Sequence, residues 1–70
     1  MVKINGKEEE VVGQSISEYL SNANYDPRTI VIEINEEIIS KNQYDDTIIR
    51  DSDIIEIISF MGGGASWTIN

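Results

Sequence analysis

The chain contains no cysteine and no histidine. Disulfides, thiol nucleophiles, Cys/His zinc sites and Ser-His-Asp triads are therefore excluded together, because each needs one of these side chains. The lack of cysteine fits a reducing compartment. Pro27 is the single proline, so no proline-rich linker divides the sequence. Basic residues are scarce, five against thirteen acidic, and a net charge of −8 repels nucleic-acid phosphates and anionic lipid headgroups alike. No apolar run approaches membrane-spanning length, and the opening "MVKINGKEEE" lacks the apolar centre of a signal peptide. The expectations are no nucleic acid, no membrane and a cytoplasmic location. The acidity itself suits either a protein partner with a basic face or plain solubility.

What is present is material for one small domain. The chain has 70 residues, of which 40% are hydrophobic, mainly the strand-favouring Ile and Val, enough to argue against disorder at this charge. Val2 and Ile4 alternate with Lys3, and Asn5-Gly6 is a strong hairpin signal, so Lys7 to Val12 is predicted as the returning strand, broken by Gly13. Ser15 and Glu18 stand at capping-box spacing, and Ile16, Tyr19, Leu20 and Ala23 share one face of a short helix. Asn22, Asn24 and Asp26-Pro27 end that helix. Thr29 to Ile34 reads as a strand, Asn35-Glu36-Glu37 as its turn, and Ile38-Ile39 as a brief return. Lys41 to Asp46 is polar apart from Tyr44, its one anchor, and Thr47 to Ile49 is a short extended piece. After a turn at Asp51-Ser52-Asp53, Ile54 to Met61 is the longest strand.

Strands on both sides of a single helix define an α+β layer, and a final strand pairing beside the first makes it a β-grasp, ubiquitin-like sheet of about four to five strands packed on one helix. The domain is expected over residues 1–61, a glycine arm over 62–64, and an extension over 65–70. Lys3, Glu33 and Glu56 interrupt Ile/Val runs and mark the wet face of the sheet. Val2, Ile4, Ile30, Ile32, Ile34, Ile55 and Ile57 then face the helix, while Val31, Ile54, Ile58 and Phe60 share the outer face with the charges. That outer face is either a partner patch or the ordinary scatter of exposed apolar residues.

No side-chain constellation supports catalysis. Glu8-Glu9-Glu10 and the looser set Asp45, Asp46, Asp51 and Asp53 read as solvated charge, with no calcium-loop spacing among them. The triplet Gly62-Gly63-Gly64 follows a strand without a helix-forming sequence after it, so it is no phosphate loop. Its backbone is the remaining chemical asset. Glycine carries no Cβ, and an extended glycine segment enters channels that reject side chains. From Phe60 to Gly64 the chain can reach roughly 13 Å, at ~3.3 Å per residue. Such an arm suits delivery of a terminal carboxylate to a partner's active site, where it must be activated, for example as an acyl-adenylate. On the glycines alone, a linker or strand terminator serves equally well.

"DIIEIISFMGGG" (53–64) resembles the C-terminus of the ThiS family, the sulfur-carrier proteins of thiamine biosynthesis. "IVIEINEEII" (30–39) is similar to that family's central strand and hairpin, and "VKINGK" (2–7) to its opening hairpin. The resemblance implies a β-grasp protein cosubstrate rather than an enzyme. A ubiquitin-activating-type enzyme spends ATP to adenylate Gly64, the adenylate becomes a thiocarboxylate, and thiazole synthase takes the sulfur. Gly62 and Gly63 form the arm, and Ile58, Phe60 and Met61 belong to the partner interface. No cofactor is bound by the carrier itself. Two departures accompany the resemblance. Ser52 stands where the family often has glycine, which reads as harmless, and Ala65 to Asn70 keep Gly64 as an amide, which implies a processing peptidase. The alternatives are a molybdopterin-type or other sulfur carrier, and a ubiquitin-like binding module whose tail, with Trp67 and Ile69, stays in place.

Overall fold

The computed structural model describes residues 1–59. Two hairpins with asparagine at the turn frame its sheet. In the first, β1 (Val2–Ile4) and β2 (Lys7–Glu9) are joined by Asn5-Gly6, with φ of 53° and 83°. In the second, β3 (Ile30–Ile34) and β4 (Glu37–Ile39) are joined by Asn35-Glu36, with φ of 52° and 73°. Two positive φ values in a two-residue loop match the twist of the strands they connect. Glycine fills the second position in one hairpin; Glu36 fills it in the other, against its conformational preference.

The last described strand, β5 (Ile54–Ser59), lies in the middle of the sheet. It runs parallel to β1 and antiparallel to β3, giving the order β2-β1-β5-β3-β4. The single α-helix, α1 (Ile16–Asn22), packs Ile16 and Leu20 into a cluster with Val2, Ile4, Ile30, Ile32, Ile34, Ile55 and Ile57. The strand residues are the set that alternation assigned to the helix side. Val11, Tyr44 and Ile49 complete the cluster from the loops. Val11 and Ile49 were not expected there, since neither belongs to a periodic run.

Helix α1 is held at its start by its own side chains and by the long loop. The Glu18 amide donates to Ser15 Oγ at 3.0 Å, and the Ser15 amide donates to Glu18 Oε1 at 3.4 Å. The Ile16 amide donates to the Thr47 carbonyl at 2.9 Å, and the Ser17 amide to the Tyr44 carbonyl at 3.1 Å. Donors that a helix N-terminus leaves unpaired are thus satisfied partly by the 40–53 segment. Replacing Ser15 with Ala removes one of these acceptors and is expected to cost about 1 kcal/mol, read from the urea midpoint. An unchanged midpoint would show that the loop carbonyls alone secure the helix start.

Several element boundaries differ from expectation. β2 stops at Glu9 rather than Val12, because Val11 turns inward to a buried position. Thr29 belongs to a 3-10 turn over Pro27–Thr29, where Asp26 accepts from the Arg28 amide at 3.0 Å and Pro27 presets the turn. Ala23 is the exposed C-cap of α1 rather than a core residue. The 47–49 piece contributes only a bridge between Ser15 and Ile48. Ser52 has a φ of 73°, in the left-handed region. Ser52→Gly relieves that conformation against a more flexible unfolded chain, for an expected net gain of roughly 0.5–1 kcal/mol. Thermal melting of the two proteins tests this, and a lower midpoint for the glycine variant would refute it.

Candidate functional site: the outer sheet face and the strand before the arm

β5 is the last described strand before Gly62-Gly63-Gly64, so what fixes this strand fixes the chain leading to those glycines. Its neighbours do so partly through side chains. Asn5 Oδ1 accepts the Ile57 amide at 2.8 Å, beyond the point where β1 ends. On the other flank, Asn35 Oδ1 accepts the Ile54 amide at 3.0 Å, while Asn35 Nδ2 donates to Asp53 Oδ1 at 3.0 Å. Asp53 in turn accepts the Arg50 amide at 2.9 Å and closes the turn before β5. The hairpin asparagines therefore have two tasks. They adopt the left-handed backbone that the turns require, and their amides pin the central strand. The sequence shows the first task in Asn5-Gly6, but the second needs the crossover that brings β5 between the hairpins.

The outer face of the sheet follows from register. Across it, Ile38 of β4 lies opposite Glu33 of β3, which lies opposite Glu56 of β5. One row along, Val31 pairs with Ile58; in the other direction, Ile54 lies beside Lys3, which itself faces Glu8. Ile38, Ile54 and Ile58 are 69%, 55% and 48% exposed. A shallow depression of about 470 Å³ opens here, lined by Glu33, Asn35, Glu36, Ile54 and Glu56. Ile58 sits on this face, where alternation placed it. Phe60, Met61, Gly62, Gly63 and Gly64, together with the 65–70 extension, lie outside the described residues.

On this face Glu33 and Glu56 accompany a single lysine of the strands, Lys3, among the described residues. Like charges directly opposite each other on a sheet are destabilising, and Glu33 and Glu56 are such a pair. Among the described residues the ion pairs are Asp26–Arg28 and the Met1 ammonium with Asp51, neither of them on this face. The Arg28 guanidinium holds the Asp26 carboxyl below the usual carboxylate range, and the Met1 ammonium does the same for Asp51. Of the other acids singled out in the sequence, Asp45 accepts from the Ser17 hydroxyl and Asp53 closes its turn, so both serve local structure. Among the described residues no cluster of three or more metal-binding side chains forms, and no helix is long and apolar enough to cross a membrane.

A mixed sheet folded around one helix, with its C-terminal strand central, is the β-grasp arrangement. That arrangement places the molecule in the class of small ubiquitin-like proteins. The ThiS family model matches residues 2–64, and the chain belongs to that family. It is 33% identical to the sulfur carrier protein ThiS of Bacillus subtilis over 66 residues, covering 91% of this chain and all of that one. A thiazole synthase of Paramagnetospirillum magneticum is 33% identical over 63 residues, 89% of this chain but 19% of that protein. Among solved structures, a thiamine biosynthesis protein (ThiS) of Geobacter metallireducens superimposes with a TM-score of 0.73 at 31% identity, covering 90% of this chain and 97% of that one. The chain is a carrier protein, and its role is sulfur carriage in thiamine biosynthesis.

Proposed function

We propose that the acceptor of sulfur is the carboxylate of Gly64, freed by removal of residues 65–70. The observation that carries this reading is the extent of the family match, which ends at Gly64 and leaves the extension out. A partner of the ubiquitin-activating type binds the domain and draws the glycine arm to ATP. A carboxylate oxygen of Gly64 attacks the α-phosphorus, diphosphate leaves, and an acyl-adenylate results. A sulfur donor at the sulfide level then attacks the acyl carbon and expels AMP, giving the thiocarboxylate. ATP belongs to the partner, and the carrier holds no cofactor of its own. This takes place in the cytoplasm.

Thiazole synthase is the proposed consumer. The likeness to one-fifth of a thiazole synthase chain supports this, since a carrier-like stretch within the same polypeptide as a synthase keeps the two together. The thiamine and thiazole names among the relatives favour this route over a molybdopterin-type one. Glycine at 62–64 keeps the arm slim enough for a narrow channel. Gly64→Leu, in a chain ended at residue 64, is expected to abolish thiocarboxylate formation while leaving the circular dichroism spectrum and urea midpoint unchanged. Normal thiocarboxylation of that variant, read by intact mass, would remove Gly64 from the mechanism.

A further inference from the structure

We infer that Asn5 is a positioning residue for adenylation: its side-chain amide, by holding β5 at Ile57, fixes the point from which the chain runs on to Gly64. This rests on Gly64 as the sulfur acceptor and adds to that reading the group that aims it. On the β1 flank, bonds to β5 fall at every second residue. The Lys3 amide donates to the Asp53 carbonyl at 3.1 Å, and the Asn5 amide to the Ile55 carbonyl at 2.9 Å. By then β1 has ended at Ile4, and the chain turns away through Gly6. The next step is made by a side chain. Asn5 Oδ1 accepts the Ile57 amide at 2.8 Å, between residues 52 positions apart in sequence.

On the other flank the pairing with β3 continues until Ile30 lies opposite Ser59. Among the described residues, Ile57 is therefore the last position of β5 bonded from the β1 side. It stands seven positions before Gly64; without the Asn5 oxygen the last bond on that flank is at Ile55, nine positions before it. The turn itself does not need the carboxamide. It needs a left-handed residue at position 5, where φ is 53°, and glycine supplies that freely. Catalysis by a partner depends on how closely the reacting group is placed. Loosening the strand at Ile57 leaves the folded domain able to dock but lowers the fraction of docked complexes with Gly64 in place. The net contribution of one hydrogen bond corresponds to about a fivefold change in that fraction.

The test uses the chain ended at Gly64, the adenylating enzyme of the same organism, ATP and release of diphosphate. Asn5→Gly keeps the left-handed turn and the backbone bond to Ile55 but removes the oxygen; Asn5→Asp keeps the oxygen and tolerates the turn. Ser15→Ala serves as the control for stability, since it loses an acceptor at the start of α1. Asn5→Gly is expected to lower kcat about fivefold with KM for the carrier unchanged. Asn5→Asp is expected to recover most of that loss, and Ser15→Ala to match the parent. A kcat for Asn5→Gly equal to that of the parent would overturn the inference and leave the carrier reading standing. An equal loss in Asn5→Asp would also overturn it by making the oxygen irrelevant, and an equal loss in Ser15→Ala would reduce the effect to stability. A raised KM with kcat unchanged would place Asn5 in docking and overturn its positioning role. If the parent chain itself releases no diphosphate, the reading of Gly64 falls and this inference falls with it.

Discussion

A chain ended at Gly64 is expected to be adenylated and thiocarboxylated, whereas the chain running to Asn70 is expected to stay inert under the same conditions. The reason is chemical rather than conformational. In the longer chain the Gly64 carbonyl is an amide, and no carboxylate oxygen exists there to attack ATP. The carboxylate at Asn70 offers no substitute, because it follows a segment containing Trp67, and an indole needs far more room than a glycine channel provides. Mass spectrometry after incubation with the adenylating enzyme, ATP and a sulfur donor reads the outcome as one oxygen replaced by sulfur. The difference should be all-or-none, at least ~10³-fold in rate, the scale expected when a reacting group is removed outright. Thiocarboxylation of the 70-residue chain at a rate like that of the shorter one would refute the proposed maturation step.

The second large effect is on stability and lies at Tyr44. Its side chain is 4% exposed and, with Ile49, is what the 40–53 segment sends into the core. The Tyr44 carbonyl also accepts from the Ser17 amide, so the ring and the helix N-terminus are tied together. Tyr44→Ala is expected to cost about 3–5 kcal/mol, as for other large aromatic truncations. Total stabilities run near 0.05–0.15 kcal/mol per residue, so in a domain this small the change should remove a large share of the total. Tyr44→Phe retains the ring and is expected to behave like the parent at neutral pH. Urea unfolding distinguishes the two, and a Tyr44→Ala midpoint near that of the parent would show that the segment is not anchored by this ring.

Burial raises the Tyr44 phenol above its ordinary value of 10.0, and burial raises Tyr19 too, helped by the nearby Glu9 charge. A phenol with a folded-state pKa above its unfolded value stabilises the protein fully below the unfolded value. The contribution is lost as pH rises through the folded one. Stability is therefore expected to fall above about pH 10, and Tyr44→Phe should soften that fall. An alkaline limb identical in the two proteins would assign it to other groups.

The inner and outer faces of the sheet were legible in the sequence because alternation is a local signal. Lys3, Glu33 and Glu56 mark the outward positions in their own strands, and the Ile and Val residues beside them are buried as expected. Helix α1 was legible for the same reason, its capping box lying within four residues. The outer face was half legible. Ile54 and Ile58 could be assigned to it, but not the confrontation of Glu33 with Glu56, which depends on a pairing between residues far apart in the chain. The amides of Asn5 and Asn35 were missed likewise, since their second partners lie across the crossover. Val11 and Ile49 follow no period and were buried by tertiary packing alone. The family resemblance added what no local pattern supplied, the pathway.

The central place of β5 has a mechanical consequence. When a partner draws on the residues beyond Ser59, tension enters a strand bonded on one flank to β1 and on the other to β3. Bonds in these ladders lie across the strands, so the load shears many of them together instead of peeling them one at a time. The Asn5 and Asn35 amides act as rivets at either side. The fold is thus built to bear a pull on the residues beyond Ser59, as a rope spliced into the middle of a weave holds where one stitched to the hem would tear away.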